Sequence, residues 1–253
     1  MLNMTPDLRI VLVGTSHPGN IGAAARAMKT MGFERLVLVA PEAPPSHRDA
    51  SAMAAGAGDV LEAAHVCASL DEALADCRTV FGCTARRRSV ALPEHDPREG
   101  AAQLLAAAAG GPTALLFGRE RTGLTNEELQ RCHAAIHIPA NPGYSSLNLA
   151  AAVQVLCYEL RMAQLAADAP PAAPDPDAEP PATHAQLEGF FGHLEQTLGD
   201  IDFHKGRAPE LVMQRLRRLL LRAGPDAREL RILHGILADS QRMARLAREA
   251  GKV

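Results

Sequence analysis

Short apolar runs alternate with longer amphipathic segments through the first two thirds of the chain. The runs have the length and the Val, Ile and Leu content of buried strands, and the segments between them have helical spacing. Because strands that alternate with helices build a parallel sheet covered on both faces, we predict an α/β domain. The predicted strands are residues 9–13, 36–39, 79–83, 114–118 and 135–138, and the predicted helices are 21–31, 70–76, 98–108, 126–131 and 147–166.

The pattern changes near residue 167. The following stretch is rich in proline and acidic residues and has no apolar periodicity, which is typical of a solvated tether. Beyond it the spacing is helical again, with helices predicted over 184–198, 209–222 and 226–249. We therefore predict an α/β domain over residues 1–166, a Pro-rich acidic linker over 167–183 and a small all-helical domain over 184–253.

Composition adds few constraints. The chain has 253 residues, 47% of them hydrophobic, and a net charge of −3, so its overall charge does not favour nucleic acid. Basic residues nevertheless concentrate between Lys205 and Arg222, where a local basic face would suit RNA. The five cysteines form no C-x-x-C pair and are expected to be reduced and buried, without a metal. No signal peptide or apolar membrane span is visible, so we expect a cytoplasmic protein.

Polar loops follow three of the predicted strands. They lie over residues 14–20, 117–124 and 138–149, and the first and third pass directly into helices. Ligands of parallel α/β sheets bind at the carboxyl ends of the strands, and helix starts direct backbone N–H groups at them. We therefore predict one composite site built from all three loops. The G-x-G-x-x-G and Walker A patterns are both absent, which argues against a dinucleotide site and a P-loop.

Each polar residue in these loops also has an ordinary structural explanation. Asn20 is placed to cap a helix, and Glu120 to form a surface ion pair. Arg26 lies among alanines that would let a ligand approach, but a solvated surface arginine is the simpler interpretation. Ser145 and Ser146 are placed to cap the helix that follows them. Taken singly these residues are weak evidence, and their joint order is the stronger evidence.

Two further groups of residues have side chains of the types that bind phosphate or metal. Arginines 86–88 follow a predicted strand end and suit phosphate binding, although a solvated loop would look the same. His133 and His137 lie four residues apart in a strand-like stretch without an acidic companion, which argues against a metal site.

The three polar segments, in this order, resemble the motifs of the SpoU branch of the SPOUT methyltransferases. The first motif is Asn-x5-Arg, matched from Asn20 to Arg26; the second is Phe-Gly-x-Glu-x-x-Gly-Leu, matched over 117–124. The third, Ile-Pro…Ser-Leu-Asn-Leu-x-x-Ala-Val, is matched over 138–153. The helical tail, with His-Leu-Glu-Gln-Thr-Leu at 193–198, is similar to that of the bacterial members that methylate the tRNA anticodon loop. The resemblance covers nearly the whole chain apart from the linker.

This resemblance implies an S-adenosylmethionine-dependent 2′-O-methyltransferase that acts on cytidine or uridine at position 32 of the tRNA anticodon loop. It also implies a SPOUT-type parallel sheet with a C-terminal deep trefoil knot, and a homodimer with active sites at the subunit interface. The family often has Thr-Ser-Ala-Arg where this chain has Cys-Thr-Ala-Arg at 83–86, a change that backbone contacts would survive. The implied cofactor-binding residues are Cys83, Thr84, Ala85, Gly118, Ile138, Ser145, Ser146 and Leu147.

The resemblance further implies roles for the remaining motif residues. Arg26 would contact the target nucleotide and stabilise the developing oxyanion, because a guanidinium does not act as a base in proteins. Ser146 or a water would provide a proton route, Asn20 and Glu120 would fix the arginine's geometry, and Asn148 would brace the knot loop. The candidate RNA contacts are Arg86, Arg88, Arg215, Arg217, Arg218 and Arg222.

Two alternative functions share much of this pattern. The same catalytic domain serves enzymes that methylate ribosomal RNA, and a module that binds RNA without catalysis would keep the fold. The helical tail favours tRNA over ribosomal RNA, and the complete motif set favours an enzyme over a binding module.

Overall fold

The computed structural model describes residues 7–85, 91–167, 179–205 and 208–251. The chain divides into two compact units, residues 1–175 and 176–253. Within the described ranges, no helix is both long and apolar enough to cross a membrane. The predicted linker falls mainly on residues 168–178, which lie outside the described residues, so its boundaries stay a prediction.

A seven-stranded parallel sheet forms the centre of the first unit. Its order is β3-β2-β1-β6-β4-β7-β5, so β6 and β7 each lie between strands that come earlier in the chain. The central strands are buried on both faces, which explains their almost continuous Val, Ile and Leu content. The strands are β1 (Leu8–Val13), β2 (Leu36–Val39), β3 (His65–Cys67), β4 (Thr79–Thr84), β5 (Glu94–His95), β6 (Thr113–Phe117) and β7 (Ala134–His137).

Helices cover both faces of this sheet. One apolar core joins the sheet to α1, α2, α3, α5 and α7, and a second core on the opposite face includes α4 and α6. The α/β prediction is therefore confirmed. The helices are α1 (Pro18–Thr30), α2 (Arg48–Ala54), α3 (Gly58–Glu62), α4 (Leu70–Leu74), α5 (Pro97–Gly110), α6 (Asn126–Leu129) and α7 (Leu149–Ala166).

All five predicted strands and all five predicted helices of this unit are present, with ends that differ by a few residues. Four short elements were missed: β3, β5, α2 and α3. They are too short to show a full period of apolar residues, and α2 consists largely of small residues.

Helix α2 packs unusually close to α1. A Cβ atom at Gly22 of α1 would lie only 1.9 Å from the carbonyl oxygen of Ala50 in α2. Only glycine permits this separation, and the contact fixes α2 beside the first turns of α1.

The second unit consists of α8 (His184–Asp200), α9 (Pro209–Ala223) and α10 (Ala227–Ala250), as predicted from the helical spacing. Apolar residues of all three helices share one small core, which includes Phe190 and Phe191 of α8. Helices α8 and α10 are further joined where His193 stacks on His234, with ring centroids 5.0 Å apart.

Candidate active site

The three polar loops follow neighbouring strands. Strands β1, β6, β4 and β7 are consecutive in the sheet and parallel, so their carboxyl ends lie along one edge. The loops over 14–20, 117–124 and 138–149 follow β1, β6 and β7. The structure thus brings the three motif segments together, as the composite-site prediction required.

Glu120 is the point at which the first two loops join. Its Oε1 accepts hydrogen bonds from the backbone N–H of His17 at 3.1 Å and from Asn20 Nδ2 at 3.0 Å. Its Oε2 accepts from both the backbone N–H and the hydroxyl of Ser16, at 3.1 and 3.0 Å. Four donors therefore surround a single carboxylate, which replaces the surface ion pair considered for it.

These contacts also fix the charge of Glu120. Partial burial alone would raise its pKa, but the hydrogen bond from Asn20 and those from backbone N–H groups, including Ser16 and His17, lower it to about 2. Hydrogen bonds that favour the ionised form have this effect. Glu120 is therefore a carboxylate throughout the neutral range and acts as an acceptor rather than an acid.

The third loop joins this cluster through Asn148. Its Nδ2 donates to Oδ1 of Asn20 at 3.0 Å, and its own Oδ1 accepts from the backbone N–H of Ala150 at 2.9 Å. A continuous chain of hydrogen bonds therefore runs from Glu120 through Asn20 to Asn148 and the start of α7. We call these three side chains the carboxylate–amide chain.

The helix starts differ from the simple capping interpretations. Helix α1 begins at Pro18 after His17, so Asn20 lies inside the first turn and does not cap it. Helix α7 is capped by Asn148, so Ser145 and Ser146 do not cap it either. The structural explanations considered for Asn20 and the two serines were therefore wrong, and their polar groups are left for other contacts.

Arg26 is exposed on α1, between the buried Ala25 and Ala27. Among the described residues it has no recorded hydrogen bond or ion pair. It follows Asn20 by six residues, about 9 Å along the helix axis. The hydrogen bonds to Glu120 come from Ser16, His17 and Asn20. Its role in fixing the geometry of Arg26 stays a prediction.

The loop after β6 is held in a tight fold. A Cβ at Gly118 would lie 2.1 Å from the backbone of Gly123, which bonds back to the Arg119 carbonyl at 2.8 Å. The Arg119 side chain forms an ion pair with Glu128 at 3.0 Å. Glu128 also completes the capping box of α6, which begins at the predicted residue, Asn126. This ion pair was not predicted from the sequence.

The residues implied to bind the cofactor lie at the ends of three adjacent strands and in the loop before α7. These residues fit S-adenosylmethionine, because they offer apolar side chains, small hydroxyl groups and loop backbone. Burial raises the pKa of the Cys83 thiol to about 12, so this cysteine is neutral near pH 7. The positions are Cys83 and Thr84 at the end of β4, Ala85 directly after it, Gly118 after β6, and Ile138, Ser145, Ser146 and Leu147 after β7.

His133 and His137 each contact the backbone of β4 through Nδ1. His133 Nδ1 accepts from the backbone N–H of Val80 at 3.1 Å, and His137 Nδ1 lies 3.1 Å from the Thr84 carbonyl oxygen. Both rings therefore brace β4.

One group of potential metal ligands does come together elsewhere in the described chain. Atoms of His65, Cys67 and Glu72 lie within 4.8 Å of one another at the β3 edge of the sheet. Glu72 also accepts a hydrogen bond from the backbone N–H of Ala68 at 2.9 Å. This cluster was not predicted from the sequence, because the spacing of the three residues does not match a known metal-ligand motif.

The candidate RNA contacts divide into three groups. Arg86 and Arg88 lie outside the described residues. Arg215, Arg218 and Arg222 are exposed and, at spacings of three and four, share one face of α9.

Arg217 differs from its neighbours. Its guanidinium forms an ion pair with Glu188 of α8, including a 2.9 Å bond from Nη2, and lies 4.2 Å from the centroid of the Phe191 ring. These contacts hold α9 against α8, so the charge of Arg217 is already partnered within the unit.

Comparisons with known proteins give a match for each of the two units. The model of the SpoU rRNA methylase family matches residues 7–158, and that of the C-terminal domain of the tRNA methyltransferase TrmJ matches 185–249. The tRNA (cytidine/uridine-2′-O-)-methyltransferase TrmJ of Escherichia coli K12 is 53% identical over 235 residues, which span 93% of this chain and 95% of that protein.

Solved structures give the same result. The crystal structure of TrmJ from Z. mobilis ZM4 matches with a TM-score of 0.78 and 35% identity, over 91% of this chain and 97% of that one. The SpoU methyltransferase AviRb from Streptomyces viridochromogenes, in complex with the cofactor AdoMet, shares the fold at a TM-score of 0.53 and 20% identity, over 65% and 64% of the two chains. The sheet, the three motif loops and the helical tail thus place this chain in the SpoU methylase family, among its TrmJ-like members.

Proposed function

We propose that this protein transfers a methyl group from S-adenosylmethionine to the ribose 2′-oxygen of tRNA, at cytidine or uridine in position 32 of the anticodon loop. The carboxylate–amide chain is the observation that carries this proposal, because it joins all three motif loops at one edge of the sheet. The E. coli relative, whose name is tRNA (cytidine/uridine-2′-O-)-methyltransferase, is similar along both the catalytic and the tail regions.

When bound, S-adenosylmethionine supplies a methyl group that is already activated on a sulfonium. The protein therefore has mainly to align the attacking hydroxyl and to assist the loss of its proton. Ser145, Ser146 and the backbone of the loops after β4, β6 and β7 are the groups that would hold the cofactor. We propose that these loops form part of the predicted trefoil knot.

Arg26 is the residue that we assign to the reacting hydroxyl. Its guanidinium has no partner among the described residues, so its five donors remain available to a ribose oxygen or a phosphate. Placed there, the charge stabilises the oxyanion that develops as the proton leaves. Ser146 is exposed and provides a hydroxyl, or a site for a bound water, through which this proton passes to solvent.

Glu120, Asn20 and Asn148 are assigned as positioning residues. Glu120 holds the loop before α1 through the N–H groups of Ser16 and His17, and Asn20 passes that constraint to Asn148. The start of α1, from which Arg26 projects two turns later, is thereby locked to the loop that carries Ser146.

We further propose that the enzyme is a homodimer in which Arg26 serves the partner's active site. Helix α7 exposes a stripe of large apolar side chains at spacings of four and three: Tyr158 is 47% exposed, Met162 44% and Leu165 55%. An exposed stripe of this kind is typical of a protein–protein contact. A second copy of the chain would cover it.

The interface assignment can be tested by mixing two inactive variants. Arg26→Ala removes the proposed catalytic charge, and Ser146→Tyr fills the cofactor loop from an exposed position. Mixed dimers contain one site in which Arg26 and the cofactor loop are both intact, so methyl transfer should reappear on mixing. If each site used residues of a single chain, the mixture would stay inactive.

The tail is proposed to bind tRNA through Arg215, Arg218 and Arg222. Phosphate contacts of this kind increase affinity without reading sequence, and they weaken steeply with salt. Arg86 and Arg88 are proposed as further phosphate contacts near the active site. Arg217 is the weaker candidate because Glu188 already pairs with it.

The proposed acceptor atom is tested with two tRNA transcripts that differ in one atom. One carries ribocytidine at position 32 and the other carries 2′-deoxycytidine there. Labelled methyl should transfer to the first and not to the second. Equal labelling of both would contradict the proposed position.

A further inference from the structure

A cavity of about 420 Å³ lies next to the carboxylate–amide chain. Asn20 and Asn148 form one of its walls, and Ala23 of α1 continues that wall. Asp49 and Met53 of α2 line it from the opposite side. The volume is within the usual range for small-molecule sites and is sufficient for a nucleobase.

The position of the cavity connects it to the proposed chemistry. Arg26 follows Ala23 by three residues, so the two lie on the same side of α1. A nucleotide whose base entered the cavity would thus have its ribose near Arg26, while the cofactor loop of the same proposed site would come from the partner subunit.

The walls differ in a way that suits the flat face of a base. Ala23 is small and leaves space on the α1 side. Met53 packs beside Gly19, with its Cγ 3.5 Å from where a Cβ on that glycine would be, and 52% of its surface stays exposed. Thioether side chains make favourable contacts with aromatic rings, so Met53 can pack on a base of either type.

Asp49 adds a group that can distinguish bases. Its carboxylate is half exposed and lies 3.8 Å from Arg48 Nε and 3.9 Å from His47 Nδ1, separations too long for a hydrogen bond, so its oxygens can still accept one. An aspartate accepts hydrogen bonds and donates none. Cytosine presents an amino donor at its 4-position, whereas uracil presents a carbonyl acceptor that a carboxylate repels.

We propose that this cavity receives the base of the target nucleotide, with Met53 packed on its face and Asp49 accepting a hydrogen bond from the 4-amino group of cytosine. The inference rests on the proposed function and adds a graded preference for cytidine over uridine. The base would have to leave the anticodon-loop stack to enter, as is usual for enzymes that act on single nucleotides in RNA or DNA.

The test compares kcat/KM for tRNA transcripts that differ only in having cytidine, uridine or pyrimidin-2-one at position 32. Pyrimidin-2-one has neither an amino nor a carbonyl group at the 4-position. We expect the wild type to favour cytidine over uridine by roughly five- to tenfold, the lower part of the range for one base contact. Pyrimidin-2-one should fall between the two.

Asp49→Asn should bring the cytidine-to-uridine ratio close to one, because an amide can donate to the uracil carbonyl. Met53→Ala should lower kcat/KM for all three transcripts and leave their ratio unchanged. Glu62→Gln, an exposed acid on α3 away from the cavity, is the control and should change nothing.

The outcomes separate the two proposals. A wild-type ratio near one, or a ratio that Asp49→Asn leaves unchanged, would overturn the assignment of Asp49 while methyl transfer to tRNA continues. Unchanged turnover of every transcript by Met53→Ala would show that the cavity does not hold the base. Absence of transfer to any tRNA by the wild type would overturn the proposed function itself.

Discussion

Asn148 donates a hydrogen bond to Asn20 across 128 positions of sequence, at 3.0 Å. Because Asn148 Oδ1 accepts the N–H of Ala150, its NH2 group must face Asn20. Asn20 must then present its oxygen to Asn148 and its NH2 group to Glu120, which can only accept. The carboxylate at one end and the helix cap at the other thus fix the orientation of both amides.

Substitutions at Asn148 should separate its two contacts. Asn148→Asp keeps an oxygen for the Ala150 N–H, and a carboxylate suits a helix start, but it cannot donate to Asn20. We expect the melting temperature to stay close to that of the wild type while methyl transfer falls at least tenfold. Asn148→Ala should in addition lose about 1 kcal/mol of stability with the cap. Wild-type turnover in Asn148→Asp would show that the amide contact is not needed.

Arg26 should be essential for activity but not for folding. It is exposed and has no recorded partner in the described residues, so Arg26→Ala should change the free energy of unfolding by less than about 0.5 kcal/mol. Removing a charge that stabilises an oxyanion should reduce kcat by about 10²–10³-fold. Arg26→Lys, which keeps the charge but loses the planar fork, should recover only part of the rate. A fully active and folded Arg26→Ala enzyme would refute this role.

Acid should remove the stabilisation that Glu120 provides. Its pKa is lowered from 4.5 to about 2, so the folded state favours the carboxylate. Its contribution is therefore complete above about pH 4.5 and disappears as the pH falls towards 2. Urea unfolding of the wild type and Glu120→Gln, compared from pH 6 to pH 2.5, should give free energies that converge with falling pH. A constant difference over that range would contradict the assigned contacts.

The arginines of α9 should separate into RNA contacts and a structural residue. Replacing Arg215, Arg218 and Arg222 together with alanine should preserve the melting temperature and weaken tRNA binding. The slope of log affinity against log salt should become shallower, by about one for each lost phosphate contact. Arg217→Ala should instead lower the melting temperature, since it removes the Glu188 ion pair and the Phe191 contact. Unchanged affinity and salt slope in the triple variant would place the RNA surface elsewhere.

The sequence predicted the long elements and the meeting of the three motif loops, because buried strands and long helices have clear apolar periods. It did not predict the roles of the helix starts. Helix α1 begins at Pro18, a residue whose fixed φ suits the first helical position, and this places Asn20 inside the first turn. Pro18 is therefore the residue in the sequence that marks this helix start.

Other contacts at the site had no local signal. Two of the four donors to Glu120 are the backbone N–H groups of Ser16 and His17, which any residue except proline would supply. Asn148 rather than Ser146 caps α7 because the backbone stays extended through Asn148, at φ −57° and ψ 146°. Such contacts depend on the three-dimensional arrangement of the chain, which the order of residues alone does not predict.

Transfer of labelled methyl from S-adenosylmethionine to purified tRNA and to ribosomal RNA, followed by nucleotide mapping, tests the central claim most directly. We expect label on the ribose 2′-oxygen at position 32 of tRNA with the wild type, and transfer slower by about 10²–10³-fold with Arg26→Ala. Label confined to ribosomal RNA, or label in neither RNA, would contradict the proposed tRNA methyltransferase activity.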